Sequence, residues 1–291
     1  MTRPAAVAAV LVAWLAGGLA AGDAAAPADV AAARAECERE FRPEYAQSGK
    51  DVIWIPTPDA LADRMLKMAG TRSGDLVIDL GSGDGKIAIA AARDFGARAR
   101  GIEYDARMVR LAQCYAAAEG VAARVEFVRG DIFALDFDDA TVVTMYLLPE
   151  LTMRLRPRLA QLRPGTRIVS NAYHLGDWGA DDTFRSPAGT AYLWIVPAQA
   201  AGQWRLTGAD GREYGLSIAQ AHQRVTAKLA APGTPEPLDA EGRLRGTALE
   251  LGARARRSFR LEATVEADRL EGTLRMGGES IAVTGRRHAV R

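Results

Sequence analysis

Apolar and polar positions fall into three successive patterns along the chain. The first is an almost unbroken apolar run from Pro4 to Ala21, with Arg3 before it and the small residues Gly22 to Ala26 around Asp23 behind it. The second alternates helical and extended periods. Apolar spacing is helical over 29–40 and stops before Pro43. Residues 51–58 read as extended, because a residue preceding proline is held out of the helical region. Thr57 is placed to cap the next helix, with Pro58 in its first turn, where a missing N–H costs nothing. That helix carries Leu61, Met65, Leu66 and Met68 on one side. Short apolar strands at 76–80, 100–102, 125–128, 141–147 and 166–171 then alternate with helices at 86–94, 106–119 and 150–162. The alternation predicts a parallel sheet with helices on both faces, closed by the strand at 166–171. After Pro197 the helical period vanishes. Strand-like stretches at 202–206, 214–229, 244–251, 259–265, 270–276 and 281–284 are separated by turn formers such as Ala231-Pro232-Gly233 and Met276-Gly277-Gly278. They predict a small antiparallel β domain, either an open sheet or a barrel. The chain is therefore read as α/β, with a leader at 1–26, an α/β domain at 27–200 and a β-rich domain at 201–291.

A positive start, an apolar middle and a small-residue tail make the leader a secretory signal peptide. The run is also just long enough to span a bilayer, so it is expected either to be cleaved or to stay as an inner-membrane anchor. With Arg3 inside, both outcomes export the body of the chain, to the periplasm. Of the 291 residues, 48% are hydrophobic and 25% charged, which excludes a disordered or fibrous protein. The 37 basic and 36 acidic side chains leave a formal charge of +1, and no nucleic-acid partner is expected from so neutral a balance. Cys37 and Cys114 lack metal-ligand spacing, so no metal site is expected; each is expected to sit singly on a helix, with pairing in an oxidising compartment as the alternative.

The candidate chemistry lies in the α/β region. Asp79-Leu80-Gly81-Ser82-Gly83-Asp84-Gly85 follows the first strand and opens a helix, at the edge where open α/β sheets bind ligands. Glycines at 81, 83 and 85 do not have the Gly-x-Gly-x-x-Gly spacing of a dinucleotide loop, and Asp79 and Asp84 would repel a pyrophosphate. An acidic glycine loop suits a cationic, phosphate-free ligand such as S-adenosylmethionine. Glu103 ends the second strand, where a carboxylate accepts two hydrogen bonds from ribose hydroxyls. Asp131, after the third strand, comes within reach of an adenine amino group. Carboxylates at three successive strand ends, in step with the loop, point to one nucleoside site.

The run from Val77 to Lys86 resembles motif I of the class I S-adenosylmethionine-dependent methyltransferases, and Gly101-Ile102-Glu103-Tyr104-Asp105 resembles their next motif. Ile55-Pro56-Thr57-Pro58, Asp79 to Gly85 and the region 162–178 resemble, more narrowly, the lysine methyltransferases of the ATP synthase c-subunit type. Gly49-Lys50-Asp51-Val52 and residues 144–150 resemble exported proteobacterial methyltransferases with a β-rich tail. The resemblance implies a Rossmann-like sheet. It also implies S-adenosylmethionine held by Asp79, Gly81, Ser82, Gly83, Glu103 and Asp131, with Thr57 near its methionine end. Lys86 stands where an arginine is more usual.

On the acceptor side, Met145-Tyr146-Leu147-Leu148-Pro149 occupies the place of the Asn-Pro-Pro-Tyr motif, a departure that turns the reading away from planar amines such as nucleobases. Tyr146 is expected to wall the methyl channel. His174 reads either as a general base or as a structural histidine, and Trp178 either as a stacking platform for substrate or as a cover for the sheet edge. His222 and His288 are given no role. By resemblance the acceptor is a protein side-chain amine, with a small molecule as the alternative. An exported nucleoside-binding module without turnover, or a β-rich domain docking to an envelope partner, are the readings from other classes.

Overall fold

The computed structural model describes residues 27–47, 53–252 and 259–288. The leader at 1–26 and the Gly49–Val52 resemblance fall outside the described residues. Helix α1 spans Pro27–Cys37 and α2 Asp59–Met68; β1 (Leu76–Leu80), α3 (Lys86–Phe95), β2 (Arg98–Glu103), α4 (Ala106–Ala118), β3 (Val125–Arg129), β4 (Val142–Met145), α5 (Pro149–Leu159) and β5 (Arg167–Asn171) follow. Two further strands, β6 (Asp182–Ser186) and β7 (Gly189–Ile195), complete a sheet of order β3-β2-β1-β4-β5-β7-β6. Strands β1 to β5 are parallel, whereas β7 runs antiparallel to β5 and β6 antiparallel to β7. The expectation that residues 166–171 close an all-parallel sheet is thus corrected: the chain turns back twice and builds a mixed edge. The chain leaves β1 first toward β2 and β3, then returns to place β4 on the other side. That reversal creates the crevice at the carboxyl ends of the strands.

Strand alternation divides the core. Val77 points to a layer with Leu61, Met65, Ile89 and Leu111 from α2, α3 and α4, while Ile78 and Leu80 point to a second layer with Leu155 and Leu159 of α5. Thr57 does not cap α2. Pro58 holds the N-cap position and its carbonyl accepts from the Leu61 and Ala62 amides, both at 2.9 Å. The Thr57 hydroxyl instead accepts from Asn171 Nδ2 at 3.3 Å, in the buried seam between α2 and β5. For the cysteines the less favoured alternative, pairing, is the one the structure shows. Cys37, at the last residue of α1, is disulfide-bonded to Cys114 of α4, with Cα atoms 5.8 Å apart. The same contact holds an Arg34–Glu119 ion pair and a 2.7 Å hydrogen bond from the Tyr115 hydroxyl to Glu38. Two helices packed along one face bring together cysteines that sequence spacing keeps apart.

The β-rich region is a closed eight-stranded barrel. Its strands are β8 (Gly202–Gly208), β9 (Glu213–Ala221), β10 (Arg224–Ala230), β11 (Leu238–Arg245), β12 (Ala248–Gly252), β13 (Phe259–Glu266), β14 (Arg269–Met276) and β15 (Glu279–Arg287). Each pairs antiparallel with its neighbour in sequence, and β15 pairs with β8 to close the ring. The stretches read as single strands at 214–229 and 244–251 take part in tight hairpins, turning at His222 (φ 55°) and Gly246 (φ 60°). Inward side chains, among them Trp204, Tyr214, Leu244 and Phe259, fill the interior, as expected when eight strands leave room for side chains alone. The barrel is tied to the sheet by an Ala198 N–H to Gly246 carbonyl bond of 2.8 Å, an Arg243–Asp181 ion pair and Trp178 stacked on His222.

Candidate active site

The site begins where β1 ends. Beyond Leu80 the Gly81 and Ser82 amides both donate to the Ile102 carbonyl, at 2.9 and 3.1 Å, and lock the loop to the end of β2. Gly83 has φ 55°, and a Cβ there would stand 2.7 Å from the Trp54 indole nitrogen. Gly85 is the left-handed N-cap of α3, and a Cβ there would stand 2.4 Å from the Phe127 ring. Both positions therefore require glycine, for conformation and for room. The Gly83 amide donates to Glu103 Oε2 at 2.9 Å, and the Asp105 amide to Glu103 Oε1 at 2.9 Å. The loop and the second strand-end carboxylate are thus one hydrogen-bonded unit.

Around it lies a cleft of about 1060 Å³, its open mouth included, lined by Asp79, Gly81, Ser82, Gly83, Glu103 and Asp131. Parallel register carries the three carboxylates to the same edge of the sheet, as their spacing predicts. Trp54, Thr57, Tyr104, Ile132, Tyr146 and Leu147 form its walls. The Ser82 hydroxyl is buried and finds no hydrogen-bond partner among the described residues. Lys86 lines the cleft too, but its ammonium is committed to Asp59 at 2.7 Å. The donor set is therefore acidic and hydroxylic beside apolar walls, which fits a cationic nucleoside and disfavours a pyrophosphate. That chemistry is what S-adenosylmethionine would require of these residues.

Asp79 is strongly perturbed. Burial pushes its carboxyl up to about 7, the nearby Asp84 and Glu103 charges push the same way, and the 2.7 Å hydrogen bond from the Thr144 hydroxyl opposes them. Asp84 is raised as well, by burial, against the pull of Lys86. The consequence for stability has a definite sign. The folded chain keeps a proton on Asp79 that the unfolded chain has already released, so the contribution of Asp79 to stability falls as pH rises from about 4 to about 7 and then levels, by roughly 4 kcal/mol at the limit. Denaturant titrations over that range should show the decline, and Asp79→Asn should reduce it, Asp84 adding a decline of the same sign. A cation bound beside Asp79 favours the ionised form, so its binding should release a proton below pH ~7. Calorimetry in buffers of different ionisation enthalpy reads that proton.

The remaining sequence candidates separate cleanly. Tyr146 is a half-buried wall of the cleft with its ring 6.4 Å from that of Tyr173, and burial pushes its phenol up. Tyr173 follows Ala172, whose φ of 66° turns the chain sharply at the end of β5. His174 lies outside the cleft. It is exposed, its Nδ1 accepts from the Gly176 amide at 3.0 Å, and its ring meets Tyr192 edge-on, so the geometry gives no support to a general-base role. Trp178 is buried and stacks on His222 at 5.2 Å, which fits the cover for the sheet and leaves no face for substrate. Sequence reasoning missed Trp54, Tyr104 and Ile132. Of these, Tyr104 and Ile132 could have been found from their places beside Glu103 and Asp131.

Residues 79–182 match the family described as the ANTKMT methyltransferase domain. A protein-lysine N-methyltransferase of Saccharolobus islandicus is 38% identical over 151 residues, covering 50% of this chain and 94% of that protein. The ATP synthase c-subunit lysine N-methyltransferase of Xenopus laevis is 28% identical over 146 residues, covering 50% of this chain and 64% of that protein. Among solved structures, an RNA methyltransferase of Salinibacter ruber in complex with S-adenosyl-L-homocysteine is 46% identical, covers 50% of this chain and 95% of its own, and superposes with a TM-score of 0.49.

Proposed function

The chain belongs to the S-adenosylmethionine-dependent methyltransferase family of the Saccharolobus islandicus protein-lysine N-methyltransferase, and from that premise we propose that it methylates the side-chain amine of a protein lysine outside the cytoplasm. The observation that carries the reading is the set of strand-end carboxylates, Asp79, Glu103 and Asp131, around one glycine loop and one cleft. In this assignment Glu103 accepts from the ribose hydroxyls and Asp131 from the adenine amino group. Asp79 faces the ligand's own ammonium, and the Gly81–Gly83 backbone lies against it. Thr57 stands at the methionine end.

When bound, S-adenosylmethionine supplies a methyl group activated by a sulfonium. This chain's residues have to align the acceptor with it and exclude water. Tyr146 and Leu147 form the wall that the incoming side chain follows. Among the described residues no histidine lines the cleft, so loss of the acceptor's proton rests on the environment: burial against apolar walls disfavours the ammonium and favours the nucleophilic amine. Two features support export. The N-terminal pattern is that of a secretory signal, and the Cys37–Cys114 disulfide suits an oxidising compartment better than the cytosol.

The experiment is to incubate the chain and S-adenosylmethionine with envelope proteins, with Glu103→Ala in parallel. Methyl-lysine is then mapped by mass spectrometry. Modified lysines formed only by the parent chain support the proposal. Tight binding of S-adenosylmethionine with no methylated protein would replace it with a binding module or a small-molecule enzyme, and fractionation of the full-length chain in cells tests the location.

A further inference from the structure

The outer face of the barrel carries a row of arginines that methyl transfer does not use. Arg205 on β8, Arg286 on β15 and Arg269 on β14 are all exposed, and register sets them side by side, Arg205 opposite Arg286 and Arg286 opposite Arg269. Like charges directly opposite across a sheet repel and destabilise it. Elsewhere on the barrel Arg212, Arg243, Arg260 and Arg275 each meet a carboxylate. Within the row Arg269 meets Glu271. Arg205 and Arg286 meet none: among the described residues, no carboxylate lies within ion-pair distance of either.

The surroundings are polar and open. Two positions along the same face, Thr207 stands opposite Thr284. The two threonines and three arginines line a shallow depression of about 580 Å³, its open side included. On β9, the residue opposite Arg205 is Gly215, so that flank of the row has no side chain to fill it. Two guanidiniums and two hydroxyls thus line one open depression, with Glu213 opposite Thr207 and Glu271 opposite Thr284 at its edges, and a bound anion would relieve the repulsion between the arginines.

We infer that this spot is an anion site for a phosphate group, taken between the Arg205 and Arg286 guanidiniums with the Thr207 and Thr284 hydroxyls as further donors. A guanidinium fork matches two phosphate oxygens at once, and a tetrahedral anion has enough oxygens to engage both forks and a hydroxyl. Free phosphate and the phosphate of a lipid headgroup offer the same chemistry to these donors.

The test uses the full chain and two probes. Inorganic phosphate, at ionic strength matched with chloride, should raise the unfolding temperature and shift the arginine Nε–H resonances of the barrel. Arg286→Gln and, separately, Arg205→Gln should each weaken that response about tenfold or more, as expected for losing charge-assisted hydrogen bonds. At low salt without phosphate, either variant should unfold no lower than the parent, because it removes a like-charge pair. In the second arm, the chain is sedimented with phosphatidylcholine vesicles with and without phosphatidylglycerol. Retention on the anionic vesicles alone, lost in Arg286→Gln, identifies a headgroup ligand, whereas a response to free phosphate without retention identifies a soluble one. Parent and variants that respond alike to both probes, or respond to neither, would overturn the site.

Discussion

Glu103→Ala is expected to weaken S-adenosylmethionine binding about 100-fold or more while leaving the sheet folded. Its carboxylate is assigned two ribose hydroxyls, and hydrogen bonds to a charged group contribute about 1.5–3 kcal/mol each. The substitution also strips the Gly83 and Asp105 amides of the acceptor that holds the glycine loop to β2, so part of the loss arises from a loop less well preorganised. Glu103→Gln separates the two effects. It keeps a carbonyl oxygen for one of those amides and gives up the charge, so its affinity should fall between parent and alanine variant. Glu126→Ala, exposed on β3 and paired with Arg100, is the control and should bind normally. Calorimetric titration of all four chains, each checked for an unchanged unfolding midpoint, decides the matter. Undiminished affinity in Glu103→Ala would remove the ribose assignment and the nucleoside reading built on it.

Reduction of the Cys37–Cys114 disulfide should cost about 4 kcal/mol of stability, because the bond closes a loop with a sequence separation of 77 residues. The effect should reach the cleft as well. The chain leaves α1 at Cys37 and runs through the segment in which the Trp54 amide donates to the Gln47 carbonyl and the Ala46 amide to the Trp54 carbonyl, both at 2.9 Å. Gln47 and Trp54 line the cleft, and the disulfide anchors the start of the segment that carries them. Reduced protein should therefore bind S-adenosylmethionine more weakly in addition to unfolding earlier. Cys37→Ser should reproduce both changes and become indifferent to reductant. Equal denaturation midpoints for oxidised and reduced chains would rule out the tether as a stabilising element.

The strand-end carboxylates are legible in the sequence because each follows an apolar run, and parallel pairing carries the ends of β1, β2 and β3 to one edge. The features that sequence hides all depend on where a segment is drawn by its packing. Thr57 has the chemistry of a cap, yet its hydroxyl goes to Asn171 and the cap falls to Pro58. Trp54 reaches Gly83 by folding back over the loop, a contact that no local period encodes. Strand β6 is half-exposed, without the apolar run that marks a buried strand, and the antiparallel return through β7 breaks the alternation that predicts the rest. The turn at His222-Gln223 contains no glycine, proline, asparagine or aspartate, so β9 and β10 read as one strand. His222 takes the left-handed conformation there, where it packs on Trp178. The disulfide follows from the packing of α1 on α4, a contact between distant parts of the chain.

The closure of the barrel imposes an order of events. Seven of its eight seams join strands that are neighbours in sequence and can form as short hairpins while the chain emerges; the eighth joins β15 to β8. Until β15 arrives, β8 and β14 present unpaired backbone donors and acceptors along open edges, the arrangement that recruits strands from other molecules. A chain threaded through a membrane from its N-terminus would hold the β8 edge open for the whole passage of 209–287. Its exposure to mispairing would then be set by the speed of translocation more than by the stability of the finished barrel.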